Sequence, residues 1–479
     1  MKRQHKALCT LLCLVSLLIP IGVTSAGASS PPPTVDAVPA VALTQTATLS
    51  GQGTASLPYL IQSEEDLALL SERVNAGDTD YTSAYYRQTT SLTLSAHTPI
   101  GTKESPFCGV YDGDGHSVTL SFDIPSNSQN YIYGLFGYAQ NASFYRVVVC
   151  GDLDVTTSCT DSGLYTGLLC ASYLANVAGD YEVRDCEALG SISSSSKYFS
   201  SYTGSLIAYV KALKGNVYFT DCYADTTLAA DGERFLWVGG LVAQVSTDGG
   251  CVFFERCAAN SQLQNNARCQ SVYMGGLVGY FTQNELGWIS PAMLSETPYS
   301  FSDCLVLGSL QANAKKEVHC GSLTGYWNSI YDNKNVYSAL SSDSTASTPN
   351  TGTTTAMSAD VLLAPSFLSD TLGFSLSDKW IVLEDASGLR LVSKHPELLL
   401  LDATSTRSLR FQPVNCPHGT WAIVFDASDT RMKGVRLAEP TLSSSFTVRK
   451  FTPYASVRAQ LFDPLTLQPL LASTFHFET

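Results

Sequence analysis

Two short segments recur along the middle of the chain, and their spacing constrains the fold more than any other feature. The first is a Gly/Ser-Leu-apolar-small segment: Gly134-Leu-Phe-Gly137, Gly167-Leu-Leu-Cys170, Ser205-Leu-Ile-Ala208, Gly240-Leu-Val-Ala243, Gly276-Leu-Val-Gly279 and Ser322-Leu-Thr-Gly325. The second alternates strictly: Val147-x-Val-x-Gly-x-Leu153, Cys186-x-Ala-x-Gly-x-Ile192, Cys222-x-Ala-x-Thr-x-Leu228, Cys257-x-Ala-x-Ser-x-Leu263 and Cys304-x-Val-x-Gly-x-Leu310, with a weaker copy from Val336. Successive copies of the second segment are 39, 36, 35 and 47 residues apart, so strand length is fixed while loop length is not. Small apolar residues at every second position make a strand with one buried face. The crossovers are too short for βαβ helices, and Gly, Asn, Asp and Ser mark the corners. The pattern predicts an all-β chain, a right-handed parallel β-helix (solenoid) with helical caps, followed by a small antiparallel β-sandwich.

Stacked coils place equivalent residues above one another. One inward column reads Val147, Cys186, Cys222, Cys257 and Cys304; a second reads Leu135, Leu168, Leu206, Leu241, Leu277 and Leu323. Each buried leucine contributes about 2 kcal/mol. Stacked Cα atoms lie about 4.8 Å apart with parallel side chains, whereas a disulfide needs Cβ atoms about 3.8 Å apart. The cysteine column therefore reads as free thiols behaving as small hydrophobes. Pairings among Cys108, Cys159, Cys251, Cys269, Cys320 and Cys416 stay open.

Exposed coil ends need covering. Ser63-Glu-Glu-Asp66 opens a helix with Leu67, Leu70 and Val74 on one face, ending at Asn75-Ala-Gly77. Ser358-Ala-Asp360 precedes Leu362, Leu363 and Phe367, then the strand-like Trp380-Ile-Val-Leu383, which together are expected to cap the other end. Short alternating strands follow Leu401, the last expected at Pro469–Ala472.

Lys2, Arg3 and Lys6 precede an apolar run from Ala7 to Val23 and the small residues Thr24–Ala28, the layout of a cleaved signal peptide. The expected organisation is a signal peptide over 1–28, a Pro/Thr/Ala-rich tether over 29–56, the β-helix with its caps over 57–395 and the C-terminal sandwich over 402–479. Export to the secreted or cell-surface space follows, with no membrane span after cleavage. The formal charge of −14 becomes about −17 on removal of three basic residues. So acidic a chain excludes nucleic acid as a partner.

Pro106-Phe-Cys-Gly109, Tyr111-Asp-Gly-Asp-Gly-His116 and the Gly134-Leu-Phe-Gly137 series resemble the GLUG-motif proteins, exported bacterial surface proteins with a pectin-lyase-like β-helix. The likeness spans roughly residues 57–395. Met357–Leu391, with Leu372-Gly-Phe374 and Trp380, looks like the closing segment that follows such repeats; the C-terminal part is similar to a small β-domain of exported Gram-positive proteins. GLUG repeats also accompany an IgA-type metalloprotease, but His-Glu-x-x-His is absent here and that activity does not carry over.

Catalytic chemistry is poorly represented. Polysaccharide-cleaving β-helix enzymes resemble one another in an Asp-Asp pair, a His-Gly and an Arg-x-Lys. This chain has no Asp-Asp, and His418-Gly419 and Arg431-x-Lys433 lie outside the repeats. Asp112 and Asp114 are weak metal candidates, since Asp-x-Asp with Gly opens many calcium loops; without a downstream ligating Glu they read instead as a tight turn. Asp152 and Asp154 fall on an outer strand face. No cofactor is expected.

Aromatics give the stronger signal. Tyr138, Tyr209, Tyr280 and Tyr326 stand three residues after column leucines, with Trp327 beside the last and Ala171 and Gln244 interrupting. With Trp288 in a long insertion they form a candidate binding row, a platform for an extracellular glycan or a host or cell-surface protein. The bland reading is a stacking ladder that stabilises the sheet. The expected function is non-enzymatic adhesion or ligand binding; the alternatives are a pectin-lyase-like lyase or hydrolase with an atypical site and a passive cell-wall scaffold.

Overall fold

The structure is a computed structural model. It describes residues 48–120, 131–160, 162–266, 268–283, 300–329, 332–342, 354–376, 379–383, 388–391, 397–402, 408–414, 416, 420–426, 432–437, 446–449, 457–462 and 475–477. The predicted signal peptide, most of the tether, Trp288, His418 and the strand expected at Pro469–Ala472 lie outside them.

Leu49–Thr479 forms one compact unit, dominated by a parallel β-solenoid of about five turns. One turn shows how the sequence builds it. Leu164–Gly167 lies in a six-stranded parallel sheet, Cys170–Ala175 in a second six-stranded sheet, and Asp180–Arg184 with Glu187–Ser196 in a broad third one. Each strand pairs in register with its counterpart one turn on: Thr166 with Thr203, Cys170 with Ile207, Ile192 with Leu228. Backbone donors and acceptors are thus satisfied between coils, which frees the chain from needing helices.

The broad sheet bends once per coil. The bend residue is always the one before the inward Cys/Val column: Arg146, Asp185, Asp221, Arg256, Asp303 and Asn335 all have φ between 48° and 55°. Asp and Asn tolerate this left-handed conformation because their short side chains bond locally. The two arginines are held by acids one coil back. Arg146 Nε donates to Asp112 Oδ1 at 3.0 Å, and Arg256 Nε donates to Asp221 Oδ1 at 2.9 Å. A different constraint acts at Gly190 (φ 116°), where a Cβ would sit 2.1 Å from the Gly151 carbonyl oxygen.

The interior is largely apolar, with buried hydroxyl clusters at Ser194, Ser201 and Thr203 and at Ser205, Thr226 and Ser261. All six column leucines, and Val147, Cys186, Cys222, Cys257 and Cys304, have 0% exposure. The four thiols donate to carbonyls one coil back, Cys222 Sγ to Val183 O at 3.2 Å and Cys257 Sγ to Phe219 O at 3.4 Å. Burial pushes Cys222 and Cys304 well above the usual thiol range. The column cysteines Cys186, Cys222, Cys257 and Cys304 form no disulfide. Phe219, Phe254 and Phe301 stack at 4.6 and 4.8 Å through consecutive coils.

At the N-terminal side a helix spans Glu64–Asn75 with Leu67, Leu70 and Val74 buried. Its start is reciprocally capped: Asp66 N donates to Ser63 Oγ, and Gln62 N donates to the Asp66 carboxylate.

The other closing segment departs from the expectation of an end cap. Thr355–Ala356 adds to the last coil, and a short helix over Ala359–Leu362 follows. The chain then runs back along the outside of the broad sheet, where Trp380–Val382 and Leu389–Leu391 form a hairpin. Leu362, Leu368, Leu372, Phe374, Trp380 and Leu389 bury Tyr223, Ala258, Leu305 and Leu307, which point outward from the coil. A sheet face that is apolar on its outside must be covered, and the row Tyr223, Ala258 and Leu305, with Leu307 two positions along, is such a face. Polar locks flank this second core: Arg390 pairs with the 1%-exposed Glu187, and Lys379 with Asp185 and Asp221.

Beyond it are small antiparallel sheets. Glu397–Asp402, Ser408–Val414 and Phe446–Arg449 form one; Met432–Arg436, Trp421–Asp426, Val457–Phe462 and Phe475–Phe477 form the other.

Candidate binding face

The two six-stranded sheets meet at the Gly/Ser-Leu motif. The chain turns so sharply there that a Cβ on Gly275 would lie 2.0 Å from the Val278 carbonyl oxygen. The leucine of the motif points inward. The small residue two places on faces outward but is buried, because the neighbouring sheet lies against it: at Gly279 a Cβ would stand 2.7 Å from the Val238 backbone. The six equivalents, Gly137, Ala171, Ala208, Ala243, Gly279 and Gly325, are all buried. They form the floor of a shallow angle between the two sheets, with aromatic rings along both walls.

On one wall the register runs Tyr138, Ser172, Tyr209, Gln244, Tyr280, Tyr326. Ser172 holds the place that leucine counting assigns to Ala171. The shift arises because Leu169, not Leu168, is the equivalent of Leu206: Gly167 pairs with Gly204 and Ser172 with Tyr209, five residues on in both coils, and Leu168 stands opposite Ser205. Trp327 leaves the row. It pairs opposite Phe281, packs over that ring at 5.1 Å and lies 5.5 Å from Phe301, at the last coil of the core.

The opposite wall carries a second column that leucine counting overlooks: Tyr165, Tyr202, Trp237, Tyr273 and His319. Each stands two residues before Gly167, Gly204, Gly239, Gly275 and Gly321, a fixed offset visible once the glycine is taken as the reference point. Rings in this column stack nearly parallel, Tyr165 on Tyr202 at 4.3 Å and 7°, Tyr202 on Trp237 at 4.3 Å and 14°, Tyr273 on His319 at 4.5 Å and 7°. On the first wall Tyr280 stacks on Tyr326 at 4.6 Å, and across the angle Tyr273 meets Tyr280 edge-on at 5.2 Å.

This geometry decides how the face can bind. Rings stacked along the coil axis spend their faces on one another and turn edges and hydroxyls outward, so the columns are a stabilising ladder and a comb of hydrogen-bonding groups together. Burial raises the Tyr165, Tyr202 and Tyr209 phenols, which therefore stay neutral. The next outward row beside the tyrosines reads Gln140, Leu174, Lys211, Ser246, Thr282 and Asn328. Lys211 is the one charged side chain in those two rows.

The remaining candidates are otherwise engaged. Arg146 binds Asp112 in bidentate fashion and reaches Asp114 Oδ1 at 3.2 Å, and Asp114 N donates to Asp112 Oδ1, so the Asp112–Asp114 turn is an ion-paired corner between successive strands. Asp152 is exposed and accepts from Ser191 Oγ at 2.7 Å. Among the described residues no cluster of three or more His, Cys, Asp or Glu could hold a metal ion, and no helix is long and apolar enough to cross a membrane.

No family model matches this chain, and no curated protein does. A solved structure that matches is that of a Bacteroides ovatus protein provisionally named an immunoglobulin A1 protease, 16% identical, covering 71% of this chain and 94% of its own, with a TM-score of 0.36.

Proposed function

We propose that this chain is an exported, non-enzymatic ligand-binding or adhesion protein that engages an extracellular glycan or a cell-surface protein through the angle between the two six-stranded sheets. The observation that carries this reading is the doubled aromatic column, a half-buried outward surface that extends over successive coils. Recognition surfaces are enriched in such residues. The signal-peptide layout, the acidic charge and the resemblance of the repeats to GLUG-motif surface proteins support export. The carboxylates with described partners are tied up in ion pairs and corners, which does not favour a lyase or hydrolase.

The test is a glycan and matrix-protein array probed with the mature chain and with Tyr280→Ser/Tyr326→Ser. Specific capture that the double variant loses while its far-ultraviolet dichroism is unchanged supports the reading. Unchanged capture with lowered thermal stability reduces the columns to a ladder and overturns it. Release of reducing ends or unsaturated products from polygalacturonate, abolished by one acidic substitution, overturns it in favour of an enzyme.

A further inference from the structure

Building on that reading, we infer that the face carries a pyranose subsite at Phe235 and Trp237, and that its ligand is an uncharged linear polysaccharide lying along the coil axis. Phe235 differs from every ring in the two columns. It is 40% exposed, one of the few large apolar side chains so placed. It points outward two residues before Trp237, and its register neighbour one coil on is Ser271; on the other side its backbone N–H donates to Ser200 Oγ. Small hydroxyl residues flank it where ladder rings have aromatic neighbours, and among the described residues the aromatic ring it meets is that of Trp237, at 5.6 Å and 32°. Its ring face is therefore free for the apolar C–H face of a sugar.

Trp237 supplies the second observation. Its indole Nε1–H is buried with no acceptor among the described residues, and an unsatisfied buried donor carries a penalty of about 1–3 kcal/mol. A sugar hydroxyl that reached that donor would relieve it, and the exposed Phe235 ring stands beside the indole. Across the angle, Gln244 and Ser246 of the same coil and Thr282 of the next offer neutral donors and acceptors. The coil rise of about 4.8 Å is close to the length of one extended pyranose, so successive sugars meet successive coils.

Charge decides the ligand class. An acidic sugar needs free cations, and the nearby ones are occupied: Arg268 Nε donates to Asp231 Oδ1 at 3.1 Å, and the Arg234 guanidinium lies over Phe199 at 4.5 Å. Lys211 lies on the opposite wall, whereas the axial register from Phe235 runs through Ser271 to the exposed Glu317, so on a chain of net charge −14 a polyuronate along that row is repelled and a neutral chain is tolerated.

The mature full chain is titrated with linear cello-, xylo- and manno-oligosaccharides of increasing length and with oligogalacturonate, following tryptophan fluorescence and binding heat. Expected is binding of at least one neutral series, tightening with length, at least about tenfold stronger than oligogalacturonate, which is 1.4 kcal/mol. Phe235→Ala weakens it by about tenfold with an unchanged melting temperature, since the side chain is exposed, and Gln244→Glu weakens it as well. The inference is overturned if no neutral series binds, if affinity ignores length, if oligogalacturonate binds equally well, or if Phe235→Ala binds like the parent. Should Tyr280→Ser/Tyr326→Ser abolish array capture of a protein or an acidic glycan while Phe235→Ala does not, this inference falls and the binding face stands.

Discussion

Lys379 Nζ lies 2.8 Å from Asp221 Oδ2, across 158 residues of sequence. The same ammonium is 2.9 Å from Asp185 Oδ1, and the Trp380 indole donates to Asp221 Oδ1 at 3.4 Å. One lysine of the closing segment thus bridges two consecutive coil corners, and Asp221 gathers Lys379, Trp380 and Arg256 around a carboxylate only 2% exposed.

That cluster sets opposite pH dependences for two aspartates four residues apart. Burial works against ionised Asp221, but hydrogen bonds and charge from Arg256 and Lys379 outweigh it and hold the carboxyl below its usual range. Its contribution is therefore present above the unfolded value of about 3.9 and is lost as pH falls through the folded value. Asp225 is raised, chiefly by burial, against hydrogen bonds from Asn260 and Tyr223. Its contribution is full below the unfolded value and is lost as pH rises through the folded one. Urea unfolding across pH should show Asp221→Asn removing part of the acid-side loss of stability, and Asp225→Asn gaining stability at neutral pH.

Glu187 and Arg390 make a buried pair whose partners are unequal in a variant. Arg390→Ala strands a 1%-exposed carboxylate and is expected to destabilise by about 3–5 kcal/mol. Outward residues at the Glu187 register are Val148, Tyr223, Ala258 and Leu305, so an apolar residue fits there. Glu187→Leu/Arg390→Met should recover most of the loss, read as the urea midpoint.

Leu241 tests the solenoid interior. Leu241→Ala is expected to cost about 2–5 kcal/mol, the range for a buried leucine. Leu241→Asp places a charge among fully buried neighbours, and the expected outcome is an insoluble or unfolded chain. A soluble Leu241→Asp chain that melts like its parent contradicts the fold.

Thiol labelling reads the cysteine column directly. Under native conditions Cys186, Cys222, Cys257 and Cys304, fully buried, should resist iodoacetamide for as long as the chain stays folded. Cys150 and Cys251, half-exposed, should react first. Peptide mass spectrometry after a short pulse, with and without denaturant, measures the contrast.

The coil itself was legible in the amino-acid order, because alternation and a fixed glycine-leucine spacing are local patterns that specify which side chains face inward. The same spacing located the tyrosines of one wall, and the Ser63–Asp66 cap with its leucine face located the helix at 64–75. Packing decided the rest. Ser172 replaces Ala171 in the tyrosine row because Leu169 rather than Leu168 stands opposite Leu206, a choice between two adjacent leucines that only the register makes. Trp327 turns inward because it packs over Phe281 and Phe301 at the last coil. Phe235 became a site residue only when the sheets met and left its ring exposed. Lys379, Trp380 and Arg390 took their places along the flank, rather than over the end, because outward-facing Tyr223, Ala258, Leu305 and Leu307 needed cover. Residues brought together across 158 positions leave no periodic trace along the chain; only the folded arrangement shows that the same carboxylate draws them.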